Sequence, residues 1–312
     1  MEISLLLLEK IFTMLIACFV GFIVVRGGVL STKDSKVVSK IVAYVCSPCA
    51  IVSSYLIEFT EERLQGMMIA FALAVIWHII IIALSKGVQK VFHLNNIERA
   101  SIIYSNAGYL VIPVVYAVLG PEWVIYTSAY AMIQTPLLWT HCKSVLCDER
   151  KIEWKKVLLN PNFIAIYIGM AMFGFGVTFP TTILTVLDDF GGMIGTISMF
   201  VIGMLIGNQN LKEMFTVKSV YVVSLFRLVV IPFITIIMFA GVLQVVHHPD
   251  IHNILLVILW AACAPVGAMV TQLSQIYNQD SEYASKINLV SILFCIITMP
   301  IVTYIYEWMS ML

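Results

Sequence analysis

The chain is dominated by apolar stretches whose length matches the thickness of a lipid bilayer. A helix of about 20 mostly apolar residues spans the hydrocarbon core. Only 12% of the 312 residues are charged, whereas soluble domains average about a quarter. Ten spanning stretches are predicted, at approximately 5 to 25, 37 to 57, 66 to 85, 100 to 120, 122 to 146, 157 to 177, 183 to 207, 217 to 243, 252 to 275 and 283 to 306. The sequence therefore predicts an all-α integral membrane protein with ten transmembrane helices.

The positions of the basic residues predict the orientation of these helices. Most of the 18 Lys and Arg residues lie in alternate connections, around residues 26–40, 86–99, 143–156, 212–218 and 286. The other connections are acidic or neutral, and cytoplasmic connections are the ones that carry an excess of positive charge. Both termini are therefore expected on the outer side of the plasma membrane, in a multi-pass protein of a bacterial inner membrane.

The most polar connection, 147–156, divides the chain into two halves of five predicted helices each. Because an odd number of crossings reverses the direction of the chain, residues 1–150 and 151–312 are predicted to form two inverted repeats. A shift that superimposes Pro265 on Pro113 also brings the first predicted helix onto the sixth. Carriers built from inverted repeats bind their solute near the midplane of the membrane, beside broken helices.

Proline interrupts one apolar stretch in each half, at Asn106 to Pro113 and at Pro265 to Gly267. Proline lacks the N–H that closes a helical turn, so peptide groups near it need another partner. Freed N–H groups and half-helix N-termini suit an anion, an amide side chain adds donors, and glycine permits close approach. The predicted substrate-binding residues of the broken, crossing helices 4 and 9 are Asn106, Gly108, Tyr109, Pro113, Pro265, Gly267, Thr271 and Gln272.

Three further polar residues in apolar stretches are candidates for coupling or gating. An intramembrane cation such as Arg227 indicates function by default, and the alternative is a side chain that snorkels to the cytoplasmic face. His78 could relay a proton, or it could only bond a neighbouring helix. Gln275 lies one turn beyond the predicted binding residues. No carboxylate is clearly buried in the pattern, which argues against tight cation coupling.

Other local patterns have structural interpretations. Cys46 and Cys49 have redox spacing, but they lie in an apolar helix and not in a soluble βαβ unit. A ridge of glycines predicts close helix packing in the seventh predicted helix, at Gly191, Gly195, Gly203 and Gly207. Isolated prolines predict kinks at Pro48, Pro136, Pro232 and Pro300.

Motifs along nearly the whole chain resemble those of the auxin efflux carrier family. The first is Asn106 with Gly108 and Pro113. Similar motifs follow in the same order at Asn160 with Pro161, Phe179 with Pro180, Ile202 with Gly203, Ala264 to Gly267, Tyr277 to Asp280, Ala284 with Ser285, and Met299 with Pro300. The short middle connection resembles that of the bacterial-type members.

The resemblance implies a scaffold domain and a transport domain, each assembled from both halves, with the substrate bound where the two broken helices cross. It implies transport of a small organic anion, such as auxin or a dicarboxylate like malate or malonate, and a homodimer formed through the scaffold domain. Bile-acid-type sodium symporters share the architecture and are the alternative. In many members an asparagine accompanies the second proline, whereas Ala268 and Met269 stand here, which predicts a less polar pocket.

The sequence predicts a carrier and not an enzyme. It contains no catalytic motif of an intramembrane protease, no cofactor motif and no metal-binding motif. The formal net charge of zero indicates no nucleic-acid partner. The expected partners are therefore the solute and the lipid bilayer. A channel lacks support because no repeated charges or carbonyl rings are seen, and a non-transporting membrane sensor on the same fold stays the alternative from another class.

Overall fold

The computed structural model describes residues 2–56, 59–120, 123–148, 158–159, 161–177, 179–208 and 216–310. These residues contain no β-strand, and their regular structure is helical apart from one isolated antiparallel bridge between Ser105 and Val266. We number the helices as follows: α1 Glu2–Arg26, α2 Ser35–Ser53, α3 Glu61–Phe92, α4 Asn96–Ile103, α5 Ala107–Val111 continuing as Ile112–Val118, α6 Val124–Leu137 continuing through Leu138–Cys142 to Lys143–Cys147, α7 Pro161–Phe175, α8 Thr181–Ile206, α9 Lys218–Val245, α10 Ile251–Cys263, α11 Ala268–Ile276 and α12 Ser281–Ser310.

Several of these helices match the dimensions of a membrane. Helices α2, α3, α8, α9 and α12 are long and apolar enough to cross one, by length and composition. Shorter apolar helices are Phe12–Arg26 within α1, α7 and α10. The prediction of an all-helical, multi-pass membrane protein is confirmed. The count of ten crossings, their inverted orientation and the division at residue 150 stay predictions.

Three prolines within the helices are accommodated by a wider turn and not by a break. Pro48, Pro113 and Pro232 each stand second in an α-helical segment that follows five residues of π-helix. A proline cannot donate to the carbonyl one turn earlier, and a π-turn moves the next donor into register. The first break, predicted between Asn106 and Pro113, lies at the N-terminal edge of that range, because the chain leaves the helix at Tyr104 to Asn106.

The second break lies where the sequence predicts it. Helix α10 ends at Cys263, Ala264 is extended with ψ 155°, and α11 begins after Gly267. A residue that precedes proline is pushed out of the helical region by the proline ring. Pro265 therefore ends α10 directly.

The broken helices lie at the centre of the protein. Helix α10 is buried continuously from Ile254 to Cys263, and it packs against α3, α6, α9 and α12. Such all-round burial is unusual for a helix in contact with lipid, since lipid-facing helices keep one exposed apolar face. The site predicted from the proline breaks is thus enclosed by other helices.

Glycine allows α8 to approach α1 and α2 at backbone distance. A Cβ built on Gly203 would lie 1.8 Å from the carbonyl oxygen of Cys18, and one built on Gly207 would lie 2.6 Å from the Cβ of Val25. On the α2 side, a Cβ on Gly191 would lie 3.0 Å from the Cα of Ala50. The predicted packing role is confirmed for these three glycines, which act as small residues do between membrane helices.

Gly203→Ala should destabilise the protein, because the new methyl group has no room beside the backbone of α1. We expect a loss of about 1–3 kcal/mol, as for other overpacked sites, measured as a lower Tm of the purified protein in detergent. Gly192→Ala in the same helix is the matched control, since no atom lies within 4 Å of its added Cβ. Equal Tm values for the two variants would contradict this account of the α1–α8 contact.

Candidate functional site

The two breaks cross and pair with each other through their backbones. The N–H of Asn106 donates to the carbonyl of Pro265 at 2.9 Å, and the N–H of Gly267 donates to the carbonyl of Tyr104 at 2.9 Å. This is the hydrogen-bond pattern of a two-residue antiparallel ladder. A Cβ on Gly267 would lie 2.8 Å from the carbonyl oxygen of Ser105, so glycine is required here for the close approach of the two chains.

Side chains from α6 and α12 satisfy the outer edges of this ladder. Gln134 accepts from the N–H of Ser105 at 3.2 Å and donates to its carbonyl at 3.1 Å. On the opposite edge, the N–H of Val266 donates to the Ser291 hydroxyl at 3.1 Å, and Asn288 donates to the Val266 carbonyl at 2.7 Å. Each break is thus flanked by an amide from the second helix after it, α6 for the first break and α12 for the second, which leaves little unpaired backbone in an apolar interior.

Arg227 joins the C-terminal ends of the two helices that stop at the crossing. Its guanidinium donates to the carbonyls of Ile102 at 3.0 Å and Ala264 at 2.8 Å, and also to those of Ile103 and Ala262. The last carbonyls of a helix have no partner within the helix and carry partial negative charge. Arg227 has no exposed surface, so the snorkelling alternative is wrong, and its role here is to cap α4 and α10 together.

A cavity lies beside the crossing, on the side where α5 and α11 begin. Its volume is about 60 Å³, room for a few waters or one small solute when a single water needs about 10–15 Å³ by the same measure. It is lined by Ser47, Ala50, Ile51, Ser54, Tyr55, Ser105, Asn106, Gly108, Ile112, Ser128, Ala131, Met132, Gln134, Thr135, Leu138, Trp139, Ile166, Ile194, Gly267 and Met269. None of these lining residues is charged, and the wall contributed by α7 and α8 is aliphatic.

Three hydrogen-bond donors of the lining residues have no partner among the described residues. They are the amide nitrogen Nδ2 of Asn106, the hydroxyl of Tyr55 and the indole N–H of Trp139. These side chains are only 2%, 1% and 5% exposed. A buried donor without a partner costs about 1–3 kcal/mol. The cavity therefore suits a ligand that brings hydrogen-bond acceptors.

Backbone dipoles add positive potential to the same cavity. Helices α5 and α11 both begin at its wall, and the first N–H groups of a helix have no partner inside that helix. Gly108 in the first turn of α5 leaves open space, since no atom lies within 4 Å of an added Cβ. The side chains of Tyr109 and Pro113 lie outside the described residues, so their predicted binding roles stay predictions.

The other predicted residues of α11 lie away from the cavity. Thr271 is fully buried, and its hydroxyl has no partner in the described part of the chain. Gln272 donates to the hydroxyl of Ser198 on α8 at 3.2 Å. The structure therefore brings together Asn106, Gly108, Pro265 and Gly267, but it separates Thr271, Gln272 and Gln275 from them along α11.

His78 lies in α3, behind the crossing and not in the cavity wall. Its Nδ1 is 2.7 Å from the carbonyl oxygen of Ala74, one turn earlier in the same helix. Its ring packs on Tyr130 with the centroids 4.9 Å apart. The hydrogen bond stays within α3 and the ring contact reaches α6, so these contacts show neither a hydrogen bond to a neighbouring helix nor the proton relay, and the relay stays a prediction.

The sequence reasoning missed the amides of α6 and α12 and the two aromatic donors of the cavity. An amide within an apolar helix is a readable signal, and both Gln134 and Asn288 have it. It also missed Glu98, a carboxylate that is only 4% exposed. Glu98 accepts from the N–H of Asn95 at 2.6 Å and from the hydroxyl of Tyr283. The Asn95-x-x-Glu98 spacing is that of a capping box. This signal predicts that a helix starts at Asn95 and that Glu98 bonds back to its first residue.

Arg227→Lys should destabilise the crossing although it keeps the charge. An ammonium cannot reproduce the planar fork that reaches carbonyls on two helices, so at least one or two buried carbonyls lose their donor, at a cost of about 2–4 kcal/mol. We expect a clearly lower Tm. Arg26→Lys is the matched control, because Arg26 is exposed at the end of α1. A variant as stable as the control would show that the cap is dispensable.

Gly267→Ala should separate the two backbone segments that pair at the crossing, since its methyl group would meet the carbonyl of Ser105. We expect a loss of about 1–3 kcal/mol in the free energy of unfolding. Thermal or denaturant unfolding of the purified protein measures this loss. Gly108→Ala provides the comparison at the other break, where the added methyl group enters open space. If both variants kept the parent stability, the backbone approach at Gly267 would not be the constraint that the geometry indicates.

Comparison with known families connects this geometry to a class of protein. A family model described as membrane transport protein matches residues 6–151 and 149–303, which together make up nearly the whole chain. No curated protein matches the sequence. Among the described residues, no group of three His, Cys, Asp or Glu side chains is arranged to hold a metal ion. The resemblance drawn from the motifs is confirmed: the chain belongs to the membrane transport protein family, which is the auxin efflux carrier family.

Proposed function

We propose that this membrane transporter is a secondary carrier that moves a small organic anion across the plasma membrane by alternating access. The observation that carries the proposal is the cavity at the crossing, whose lining includes Asn106, Tyr55 and Trp139, each with a donor that has no partner among the described residues. A carboxylate supplies several acceptor lone pairs and no donor when ionised. It is therefore the complement of such a wall.

The source of positive potential is the backbone. No Lys or Arg lines the cavity, so the negative charge of the solute would be balanced by the N-terminal ends of α5 and α11. Oriented half-helices serve anionic groups in this way in other carriers. Because these helix ends are neutral overall, the solute can be released as well as bound.

Cavity size and lining favour a compact solute. A dicarboxylate such as malate or malonate, or an auxin-like carboxylate, brings few heavy atoms and both polar and apolar contact. A sodium-coupled symporter of bile acids, the alternative, needs space for a steroid, and the cavity volume is about 60 Å³. The aliphatic wall and Met269, which also lines the cavity, support a partly apolar solute.

We propose ten crossings arranged as two inverted repeats, residues 1–150 and 151–312, with both termini outside and with a scaffold domain that also forms a homodimer. Two observations support the repeat. The family model matches in two segments that meet near residue 150, and each break receives an amide from the second helix after it, Gln134 of α6 in one half and Asn288 of α12 in the other. The transport domain would contain the crossing.

Asn106→Ala should lower transport far more than it lowers stability. The substitution removes a hydrogen bond to a charged solute, which is worth about 1.5–3 kcal/mol. We therefore expect the solute to bind at least roughly tenfold more weakly. The measurement is counterflow of radiolabelled malate, malonate, succinate and indole-3-acetate into proteoliposomes, with unlabelled competitors. Normal uptake by a normally folded Asn106→Ala protein would remove Asn106 from the site.

A tyrosine pair tests the donor argument without changing side-chain volume. Tyr55→Phe removes only the cavity hydroxyl and should raise the concentration of solute that gives half-maximal uptake. Tyr304→Phe is the control, because Tyr304 is 68% exposed on the outer surface of α12. If the folded parent protein takes up none of the four solutes, the non-transporting sensor becomes the favoured function.

A further inference from the structure

A buried polar stripe follows α11 away from the cavity. Thr271 and Gln272 are four and three positions before Gln275, so each of them is a neighbour of Gln275 on one side of the helix. Thr271 is fully buried, and its hydroxyl has no partner among the described residues. An unpartnered hydroxyl in a closed interior is costly, whereas the same group would be hydrated if this face lined an open passage.

Gln275 ends the stripe with two hydrogen bonds to α2. Its amide nitrogen donates to the hydroxyl of Ser35 at 2.6 Å, and its carbonyl accepts from the hydroxyl of Ser39 at 2.6 Å. Both serines are fully buried and stand one turn apart. A further bond at the rim joins Lys36 Nζ to Asn278 Oδ1 at 2.7 Å. Side chains alone thus hold the end of α11 against α2.

A second and wider opening lies directly beyond this contact. It has a volume of about 870 Å³ and includes Lys33, Lys36, Asn208, Gln275 and Glu282 in its lining. The connection that forms one wall is held by Asp34, whose carboxylate accepts from the N–H and hydroxyl of Ser31 at 2.7 and 2.8 Å. These hydrogen bonds lower the pKa of the Asp34 carboxyl.

The opening and the central cavity lie at opposite ends of α2. Ser54 and Tyr55 after the end of α2 line the cavity, whereas Lys33 and Lys36 near its beginning line the opening. Gln275 is in the wall of the opening, and Met269 at the start of α11 is in the wall of the cavity. The cavity and the opening are therefore separated by about the length of α11.

We propose that the solute passes between the cavity and the Lys33 side along the stripe of α11, between α2, α8 and α11, and that Gln275 closes this passage by its bonds to Ser35 and Ser39. The inference deepens the proposed function and rests on it. Opening exchanges two protein hydrogen bonds for bonds to water, which is a small net change. Because Gln275, Ser35 and Ser39 are neutral, the contact itself adds no fixed charge that would trap an anion at the closed point.

The test measures access to the stripe by a thiol reagent and does not depend on transport. Thr271→Cys places a thiol of similar size in the closed passage, and a membrane-impermeant maleimide is applied to the full-length protein in inside-out and right-side-out vesicles. Labelling at position 271 is quantified by mass spectrometry. We expect slow labelling in the protein that carries Thr271→Cys alone. Adding Gln275→Leu should make labelling from the Lys33 side at least roughly tenfold faster, because the two hydrogen bonds that close the passage are lost.

Gln279→Leu is the matched control. Gln279 lines the same opening, but within the described part of the chain its side-chain amide makes only a long hydrogen bond, 3.4 Å, to the carbonyl of Tyr277 in its own segment. We expect this variant to label at the parent rate and Ser39→Ala to label at an intermediate rate. The native thiols of Cys142 and Cys263, which are buried, report unfolding if they become reactive, and Ser39→Ala then replaces Gln275→Leu as the deciding variant.

Unchanged labelling in Gln275→Leu, an equal increase in Gln279→Leu, or an increase from the other side of the membrane would overturn the proposal. These outcomes are independent of the counterflow result. Faster labelling in a protein that transports none of the tested solutes would uphold the gate and contradict only the assigned substrate class. Normal transport with unchanged labelling would uphold the assigned substrate class and contradict the gate.

Discussion

The paired backbone of the crossing is the interaction on which the rest of the structure depends. Two helices that stop inside an apolar protein leave N–H and C=O groups that water cannot reach, and each unpaired group costs several kcal/mol in hydrocarbon. Tyr104 and Asn106 pair with Gly267 and Pro265, while Gln134 completes one outer edge. Because these partners come from different helices, the crossing forms only when the helices around it are all in place.

The crossing also separates charge along the helix axes. Arg227 binds the carbonyl ends of α4 and α10, whereas the N–H ends of α5 and α11 begin at the cavity. Opposite ends of helix dipoles are thus served by opposite partners, a fixed cation behind the crossing and, in our proposal, a mobile anion before it. Among the described residues, the buried arginine donates to carbonyls and not to a carboxylate. Its partners therefore bring no full negative charge that would cancel the positive potential of the cavity.

Helix α11 connects the cavity that we propose as the binding site with the contact that we propose as its gate. Gly267 at its start belongs to the backbone pairing, and Gln275 near its end is held by two serines of α2. A helix fixed strongly at one end and by neutral side-chain bonds at the other can separate from α2 without breaking the crossing. Alternating access then needs a change at side chains, while the backbone of the binding site is preserved.

Hydropathy and proline are properties of short segments, and from them the sequence by itself determined the membrane class, the helix bounds to within a few residues and the second break at Pro265. The close packing of Gly203 was also readable, since small residues recur on one helix face. The tertiary structure alone decided that the first break lies at Tyr104 to Asn106 and not at Pro113, because the partners that stabilise it come from distant helices. The tertiary structure alone also decided that Arg227 caps two helices and that Tyr55 and Trp139 line the cavity. The residues that these side chains contact lie far along the chain, and such contacts leave no local pattern in the sequence.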